Sequence, residues 1–114
     1  MNGKQTHRMR LHPDPFDRIR SGQKTDELRL NDEKRRLIEI GDRIEFSKRP
    51  DFQEKLTVEV VSLNTYPDFA TLYEGVKERY PTSDKNDFIK DLRQYYSPED
   101  EAEFGALEIG IRPV

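Results

Sequence analysis

The sequence contains no cysteine, and this absence removes several classes of protein from consideration. Without thiols the chain has no disulfide framework, no thiolate zinc site and no cysteine nucleophile. A cysteine-free chain fits a reducing compartment, so a cytoplasmic location is expected. No window approaches the roughly twenty apolar residues that a membrane helix requires, and the N-terminal residues lack the apolar core of a signal peptide. Membrane association is therefore not expected.

Apolar residues are scarce as well, since 32% of the 114 residues are hydrophobic and 38% are charged. Such a chain can form one compact core, and a single domain over residues 1–114 is expected, with residues 1–7 as a flexible N-terminal tail. The net charge of −3 argues against a protein that coats nucleic acid through bulk positive potential. Residues 1–50 nevertheless hold 13 Lys and Arg against 9 Asp and Glu. This excess leaves room for a local basic face, although solvated surface explains the same residues equally well.

Period-two alternation and capping residues predict a mixed set of strands and helices. Five strands are predicted, at His7–Leu11, Thr25–Leu30, Arg43–Ser47, Lys55–Leu63 and Ala106–Ile111. Four helices are predicted, one capped by Asp14 with Pro15 at its first position and Gly22 at its end, and the others capped by Asp68, by Asp84 or Asn86, and by Ser97. Strict βαβ alternation is lacking, so the pattern favours an α+β fold: a small mixed β-barrel of five to six strands with peripheral helices.

The parity of the predicted strands separates core positions from a polar face. In the strand Thr25–Leu30, Leu28 and Leu30 are expected to pack, whereas Thr25, Glu27 and Arg29 are expected to face a groove or solvent. The same parity predicts four further core residues, Val58, Val60, Leu107 and Ile109.

Several short motifs follow one another in an order that resembles a known family. The first is the run MRLHPDPF at residues 9–16, followed by Gly22-Gln23-Lys24-Thr25 and by Glu27-Leu28-Arg29 in the next strand. The later ones are Ile40-Gly41-Asp42-Arg43-Ile44-Glu45-Phe46 and Tyr95-Tyr96-Ser97-Pro98-Glu99, with Gly105 before the last strand. From about Arg8 to Ile111 this order resembles the ASCH domain family. The resemblance implies a PUA-like barrel, a cleft between the first helix and the barrel, and a role in RNA binding or RNA-linked chemistry.

Lys24, Glu27 and Arg29 are the leading candidate ligand-binding residues, because they lie at a turn-to-strand junction and Glu27 and Arg29 share a strand face. Arg offers a planar fork for a phosphate or a base edge, Lys a mobile positive charge, and Glu an acceptor for an exocyclic amino group. A Glu27–Arg29 surface pair without a ligand explains the residues alone, and it is the resemblance that favours the site. The expected function is a module that binds RNA or a nucleotide in the implied cleft.

Three basic residues and one tyrosine extend the candidate set. Lys34, Arg35 and Arg36 form a basic run that suits phosphate contacts, although a solvated turn is an equally good explanation. Tyr96, which follows Tyr95, could stack on a base, whereas core packing is the more common role of such a tyrosine. Neither a metal nor a cofactor is expected, because the histidines have no metal-ligand spacing and the chain has no Gly-rich phosphate loop.

Two enzymatic alternatives stay open. One branch of the ASCH family comprises acetylcytidine amidohydrolases that use a lysine, a threonine three residues later and a glutamate elsewhere. Lys24 matches this pattern, but Glu27 occupies the threonine position, so the expected hydroxyl nucleophile is missing there. Metal-independent RNA cleavage is the other alternative, with Lys24 as electrostatic stabiliser and Glu27 as general base.

Overall fold

The computed structural model describes residues 4–114, in which strands and helices alternate along the chain. In order they are β1 (Thr6–Leu11), α1 (Pro13–Arg20), β2 (Asp26–Leu30), β3 (Arg43–Lys48), β4 (Lys55–Tyr66), α2 (Phe69–Val76), α3 (Lys85–Arg93), α4 (Pro98–Phe104) and β5 (Ala106–Pro113). Short 3₁₀ turns lie at Arg35–Leu37 and Lys77–Arg79. No helix in the described part of the chain is long and apolar enough to cross a membrane.

The five strands form one sheet in the order β1-β3-β4-β5-β2. β1 pairs with β3 in parallel, whereas β3 and β4 form an antiparallel pair. The sheet is therefore mixed, and the predicted α+β class with five strands is confirmed. Residues 1–3 of the expected N-terminal tail lie outside the described residues, whereas Thr6 and His7 lie in β1.

Helix caps account for where most helices begin. Asp68, Asp84 and Ser97 each accept a hydrogen bond from the backbone N–H three residues later, as their predicted N-cap roles require. The prediction for the first helix was wrong at its start, because α1 begins at Pro13 with His12 as its N-cap. Proline is favoured in the first helical turn, where its missing N–H costs no hydrogen bond, so Pro13 can open the helix two residues earlier than Pro15.

The described chain packs as two compact units. The first unit comprises residues 4–27, Ile38–Leu63 and Ile109–Val114. The second comprises Leu28–Leu37 and Asn64–Glu108. Each unit buries apolar side chains of its own.

In the first unit, α1 and the strands contribute the buried side chains. α1 packs against β3, and it buries Phe16 and Ile19, the two residues predicted to share its inner face. Met9 of β1 is opposite Phe46 of β3, and both are buried. The other buried apolar side chains of this unit are Leu11, Ile38, Ile44, Val58, Val60, Ile109 and Ile111.

In the second unit, helices pack around an aromatic core. Tyr73 and Tyr80 lie edge-on to Phe88, with ring centroids 5.2 and 5.5 Å away. Edge-to-face contacts of this kind add to the stabilisation that comes from burial alone. The buried members of the core are Leu30, Phe69, Leu72, Val76, Phe88 and Ala106.

The predicted alternation fails in two strands. Ala106 to Ile111 of β5 are all buried, so this strand is covered on both faces, and Glu108 lies inside with the apolar residues. In β2, Glu27 is buried and Leu28 is only partly buried, which reverses the expected contrast between the two faces at these positions. A strand covered on both faces escapes the period-two rule, because that rule assumes one face in water. Val58, Val60, Leu107 and Ile109 are core, as predicted.

Candidate functional site

The turn before β2 fixes the position of Lys24 in the first unit. Gly22 adopts φ 84°, a left-handed conformation that suits glycine at the end of a helix. The Lys24 N–H then donates to the carbonyl of Arg18 in the last turn of α1, at 3.0 Å. One residue later, the Thr25 carbonyl accepts from the N–H of Ile111, also at 3.0 Å. The turn that carries Lys24 is thus held by hydrogen bonds to α1, through Lys24, and to β5, through Thr25.

The side chain of Lys24 lies among carboxylates. Its Nζ donates to the carbonyl oxygen of Asp26 at 2.5 Å and lies 3.6 Å from Asp26 Oδ1 and 3.8 Å from Glu27 Oε1. The side chains are 11% exposed for Lys24, 4% for Asp26 and 9% for Glu27. We call these three residues the Lys24 cluster.

The Lys24 cluster concentrates charge where water is largely excluded. Taking an ion out of water costs several kcal/mol, and an ion pair repays this cost only when its geometry and hydrogen bonds are good. Buried charged groups occur both at functional sites and in structural ion networks.

The other predicted site residues belong to the second unit. Arg29 lies on β2, where it is partly buried. The Arg35 guanidinium lies 3.2 Å from Asp32 Oδ2, and its buried Nε has no hydrogen-bond partner among the residues that the structure describes. Arg36 Nε donates to the Asn31 carbonyl at 2.8 Å, while Lys34 is exposed. Arg35 and Arg36 therefore make local contacts in their own turn, and a ligand-binding role for them stays a prediction.

Tyr96 packs into the aromatic core of the second unit. Its ring centroid lies 6.1 Å from that of Phe69 and 6.3 Å from that of Tyr95, which is exposed. This position corresponds to the core-packing alternative for Tyr96. A stacking role would require the ring to offer a face to a base in addition to these contacts.

Asp42 is a buried carboxylate that the sequence did not single out. Its Oδ1 accepts from the Gln5 N–H at 3.2 Å, and its Oδ2 accepts from the Glu39 N–H at 3.0 Å and lies 2.8 Å from His7 Nε2. Burial alone would raise the pKa of Asp42, but the hydrogen bond with His7 and those from the two backbone N–H groups outweigh burial and lower the pKa below its usual value. We call this arrangement the Asp42 network.

Glu108 is a second buried carboxylate that sequence analysis missed. It is 4% exposed, accepts from Asn64 Nδ2 at 3.2 Å and pairs with the guanidinium of Arg79. The one sequence signal was its place between Leu107 and Ile109 in a strand that proves to be buried on both faces. Among the described residues, no group of three or more His, Asp and Glu side chains could hold a metal ion.

Comparison with known proteins places the chain in a family. The model of the ASCH domain matches residues 9–114, almost the whole chain. The chain belongs to the ASCH domain family. ASCH domains have the PUA-superfamily fold, which is generally of an RNA-binding type. A search of curated proteins gave no match.

Solved structures agree with the ASCH fold. The crystal structure of the hypothetical protein PH0355 is 32% identical, with a TM-score of 0.81 over 96% of this chain and 99% of that chain. The solution structure of protein PF0455 from Pyrococcus furiosus is 30% identical, with a TM-score of 0.74 over 96% and 97% of the two chains. ASCH from Zymomonas mobilis is 18% identical, with a TM-score of 0.66 over 94% of this chain and 66% of that chain, and shows a likeness of fold alone.

Proposed function

We propose that this ASCH domain binds a nucleotide or an unpaired RNA base at the Lys24 cluster. The observation that carries the proposal is the burial of two carboxylates, Asp26 and Glu27, around the ammonium of Lys24. The RNA-binding type of the PUA-superfamily fold supports the same conclusion at a coarser level.

The chemistry of the Lys24 cluster suits the polar edge of a base. Carboxylate oxygens accept hydrogen bonds from exocyclic amino groups and ring N–H groups, and an ammonium donates to a base carbonyl or a phosphate oxygen. Such contacts recognise unpaired bases, whose Watson–Crick edges are free. A hydrogen bond to a charged group contributes about 1.5–3 kcal/mol, so each contact matters to affinity.

The backbone hydrogen bonds of the turn that carries Lys24 favour a site that is formed before the ligand binds. Because hydrogen bonds to α1 and β5 hold the turn, the ligand need not order this segment when it binds. A site that is ordered in advance loses less affinity to conformational entropy. We therefore expect binding to shift the backbone resonances of this turn without reorganising the domain.

A titration of the four nucleoside 5′-monophosphates and the matching nucleosides tests the proposal. Backbone amide resonances report binding. The expected result is a saturable shift at residues 22–27 and at Ile111, whose N–H donates to the Thr25 carbonyl. Lys24→Gln should abolish the shift, whereas Lys90→Gln, which removes an exposed lysine on α3 of the second unit, should leave it intact.

Lys24→Gln leaves two buried carboxylates without their cation, so the variant risks unfolding. Glu27→Gln is the second variant, because it preserves the Lys24–Asp26 pair and nearly preserves side-chain volume. Saturable binding that a folded Glu27→Gln variant retains at wild-type affinity would refute the proposal, as would the absence of binding at millimolar ligand.

A further inference from the structure

The turn at residues 31–37 of the second unit presents three consecutive basic residues on a fixed backbone. At its start, the Asn31 N–H donates to the Gly105 carbonyl at 2.9 Å. Asp32 Oδ1 then accepts from the Arg35 N–H at 3.0 Å, so the carboxylate closes the turn on itself. We call residues 31–37 the basic turn.

The Arg35 side chain has incomplete hydrogen bonding within the basic turn. It is 19% exposed, and its Nη1 lies 3.2 Å from Asp32 Oδ2. Its Nε is buried and has no hydrogen-bond partner among residues 4–114. A buried donor without an acceptor costs free energy, and such donors in native proteins often serve an ion, a water molecule or a function. The Nε of Arg35 therefore indicates that this guanidinium has a second partner to meet.

The geometry of the guanidinium defines the chemistry of that partner. Its N–H donors form a rigid fork, so the contact between Nη1 and Asp32 leaves the edge that carries Nε without its acceptor. A phosphate can accept from Nε and a terminal nitrogen at the same time. Because Nε is closed to water in this conformation, the guanidinium of Arg35 has to turn outward to reach such a ligand. This movement removes the cost of burying an unpaired donor.

Asp32 opposes the movement, but only weakly. Its side chain is 27% exposed, and ion pairs that are this accessible to water stabilise a fold little. A phosphate offers more acceptor oxygens than the single carboxylate oxygen that faces Nη1, so it can displace Asp32 from the guanidinium. The hydrogen bond from the Arg35 N–H can persist, because a different oxygen of Asp32 accepts it. The guanidinium can therefore be released without unfolding the basic turn.

The remaining charges of the basic turn also favour an anion. It holds three cations against two carboxylates, Asp32 and Glu33. Arg36 Nε donates to the Asn31 carbonyl at 2.8 Å, and the Arg36 guanidinium lies 5.8 Å from the centroid of the Phe104 ring. Neither of these contacts involves a carboxylate, so they leave the charge of Arg36 intact. A positive charge next to Arg35 raises the local concentration of anions.

We infer that the basic turn binds a phosphate group through Arg35, and that Asp32 competes with the phosphate for this guanidinium. A phosphate monoester and the phosphodiester of RNA present the same kind of oxygens, so the experiment has to distinguish these two sources. The inference does not depend on nucleotide binding at the Lys24 cluster, because the residues that carry it all lie in the second unit.

The probes are inorganic phosphate, a uridine dinucleotide with one phosphodiester, and uridine, which has no phosphate. Binding is followed at constant ionic strength through the amide resonances of residues 31–37 and the Nε–H resonance of Arg35. Inorganic phosphate should shift both saturably, whereas uridine should shift neither. Dinucleotide binding that is at least as tight as that of inorganic phosphate identifies RNA as the source. Weaker binding of the dinucleotide identifies a monoester. Shifts at residues 22–27 report separately on the Lys24 cluster.

Charge-matched variants of neighbouring residues separate the competition from general electrostatics. Asp32→Asn keeps an oxygen for the Arg35 N–H but removes the competing charge, so it should tighten phosphate binding about threefold. Glu33→Gln removes the same charge from an exposed neighbour and should have a smaller effect. Arg35→Gln should weaken binding about tenfold, and Arg36→Gln should weaken it less.

A double variant tests whether Asp32 acts through Arg35. In an Arg35→Gln background, Asp32→Asn should no longer tighten phosphate binding beyond the effect of Glu33→Gln, because the guanidinium for which Asp32 competes is gone. Arg35→Gln also removes the unpaired Nε, so we expect this variant to fold, and circular dichroism checks that it does.

Three outcomes would overturn the inference. The first is the absence of a saturable shift at residues 31–37 with millimolar phosphate. The second is an Nε–H resonance of Arg35 that phosphate leaves unchanged, since water would then serve this donor. The third is an equal effect within each charge-matched pair, because the basic turn would then attract anions through its net charge alone.

Discussion

The first unit contains two groups of buried charges, and these groups differ in the partners that their carboxylates contact. In the Asp42 network, a single carboxylate accepts from the backbone N–H groups of Gln5 and Glu39 and contacts His7. In the Lys24 cluster, two carboxylates lie beside one ammonium, and the cluster is defined by the distances from Lys24 Nζ to the oxygens of Asp26 and Glu27. Both groups are nearly closed to water.

This difference suggests a way to distinguish buried charges that stabilise the fold from buried charges that bind a ligand. A buried carboxylate that accepts from backbone N–H groups explains its own presence, because removing it takes away the acceptor of those donors. A cluster of side-chain charges stabilises little by itself, since desolvation offsets most of its Coulomb energy. Stability should therefore depend on Asp42, whereas Glu27, whose replacement keeps the Lys24–Asp26 pair, should matter chiefly to ligand binding.

Asp42→Ala should have the largest effect on stability. The substitution leaves two backbone N–H groups and His7 without their acceptor, and we expect a loss of about 3 kcal/mol in the free energy of unfolding. Urea unfolding followed by circular dichroism measures it. A loss below about 1 kcal/mol would mean that water or neighbouring groups replace the carboxylate, and the contrast with the Lys24 cluster would fail.

Glu27→Gln should have the largest effect on binding. Losing a charge-assisted hydrogen bond should weaken nucleotide affinity by about 1.5–3 kcal/mol, while the free energy of unfolding changes by less than about 1 kcal/mol. Calorimetric titration gives the affinity, and urea unfolding gives the stability. Glu59→Gln is the matched control, because Glu59 is a strand carboxylate of the first unit that pairs with an arginine, Arg112. An equal loss of affinity in both variants would point to net charge instead of a site.

Acid should destabilise the domain partly through Asp42. Because its folded pKa lies below the usual value, the ionised form stabilises the fold above the unfolded pKa, and this contribution is lost as pH falls through the folded pKa. The free energy of unfolding, measured from pH 7 down to about pH 2, should therefore fall more steeply for the wild type than for Asp42→Asn. Parallel curves for the two proteins would contradict the assignment of the Asp42 network.

The smallest expected effect concerns acetylcytidine. With a buried carboxylate at position 27 in place of a hydroxyl, we expect no turnover by the lysine–threonine arrangement of the amidohydrolase branch. Chromatography of acetylcytidine after incubation with the protein is the measurement. Turnover that is lost in Thr25→Ala would relocate the nucleophile to Thr25. Turnover that persists in that variant would show that the argument from position 27 is wrong.

Local signals made much of the fold predictable. The N-caps at Asp68, Asp84 and Ser97 could be predicted from the sequence, because a short polar side chain followed by a helix-forming run has few other roles. The alternation in β4 identified Val58 and Val60 as core because one face of that strand is more exposed than the other. The order of the motifs was enough for the ASCH family resemblance, which the family match over residues 9–114 confirms.

The polar interior was less predictable, because it depends on partners distant in sequence. Asp42 is buried through contacts with Gln5 and His7, more than thirty residues away, and no local pattern predicts that pairing. Glu108 was expected to lie opposite the inward residues of β5, but that strand is covered on both faces. Lys24 and Glu27 were identified by motif, whereas Asp26 was not, since it has the parity of Leu28 and Leu30, the side of the strand that was expected to pack.

The most direct test of the central claim compares Glu27→Gln with Asp42→Asn in one nucleotide titration, at a temperature where circular dichroism shows both variants folded. In Asp42→Asn, an amide nitrogen replaces one of the two accepting oxygens, so one backbone N–H loses its acceptor and stability should fall while the Lys24 cluster stays intact. The account predicts that Asp42→Asn binds the nucleotide within about twofold of the wild type, and that Glu27→Gln binds it at least about tenfold more weakly. Equal affinities in all three proteins, or equal losses in the two variants, would contradict it.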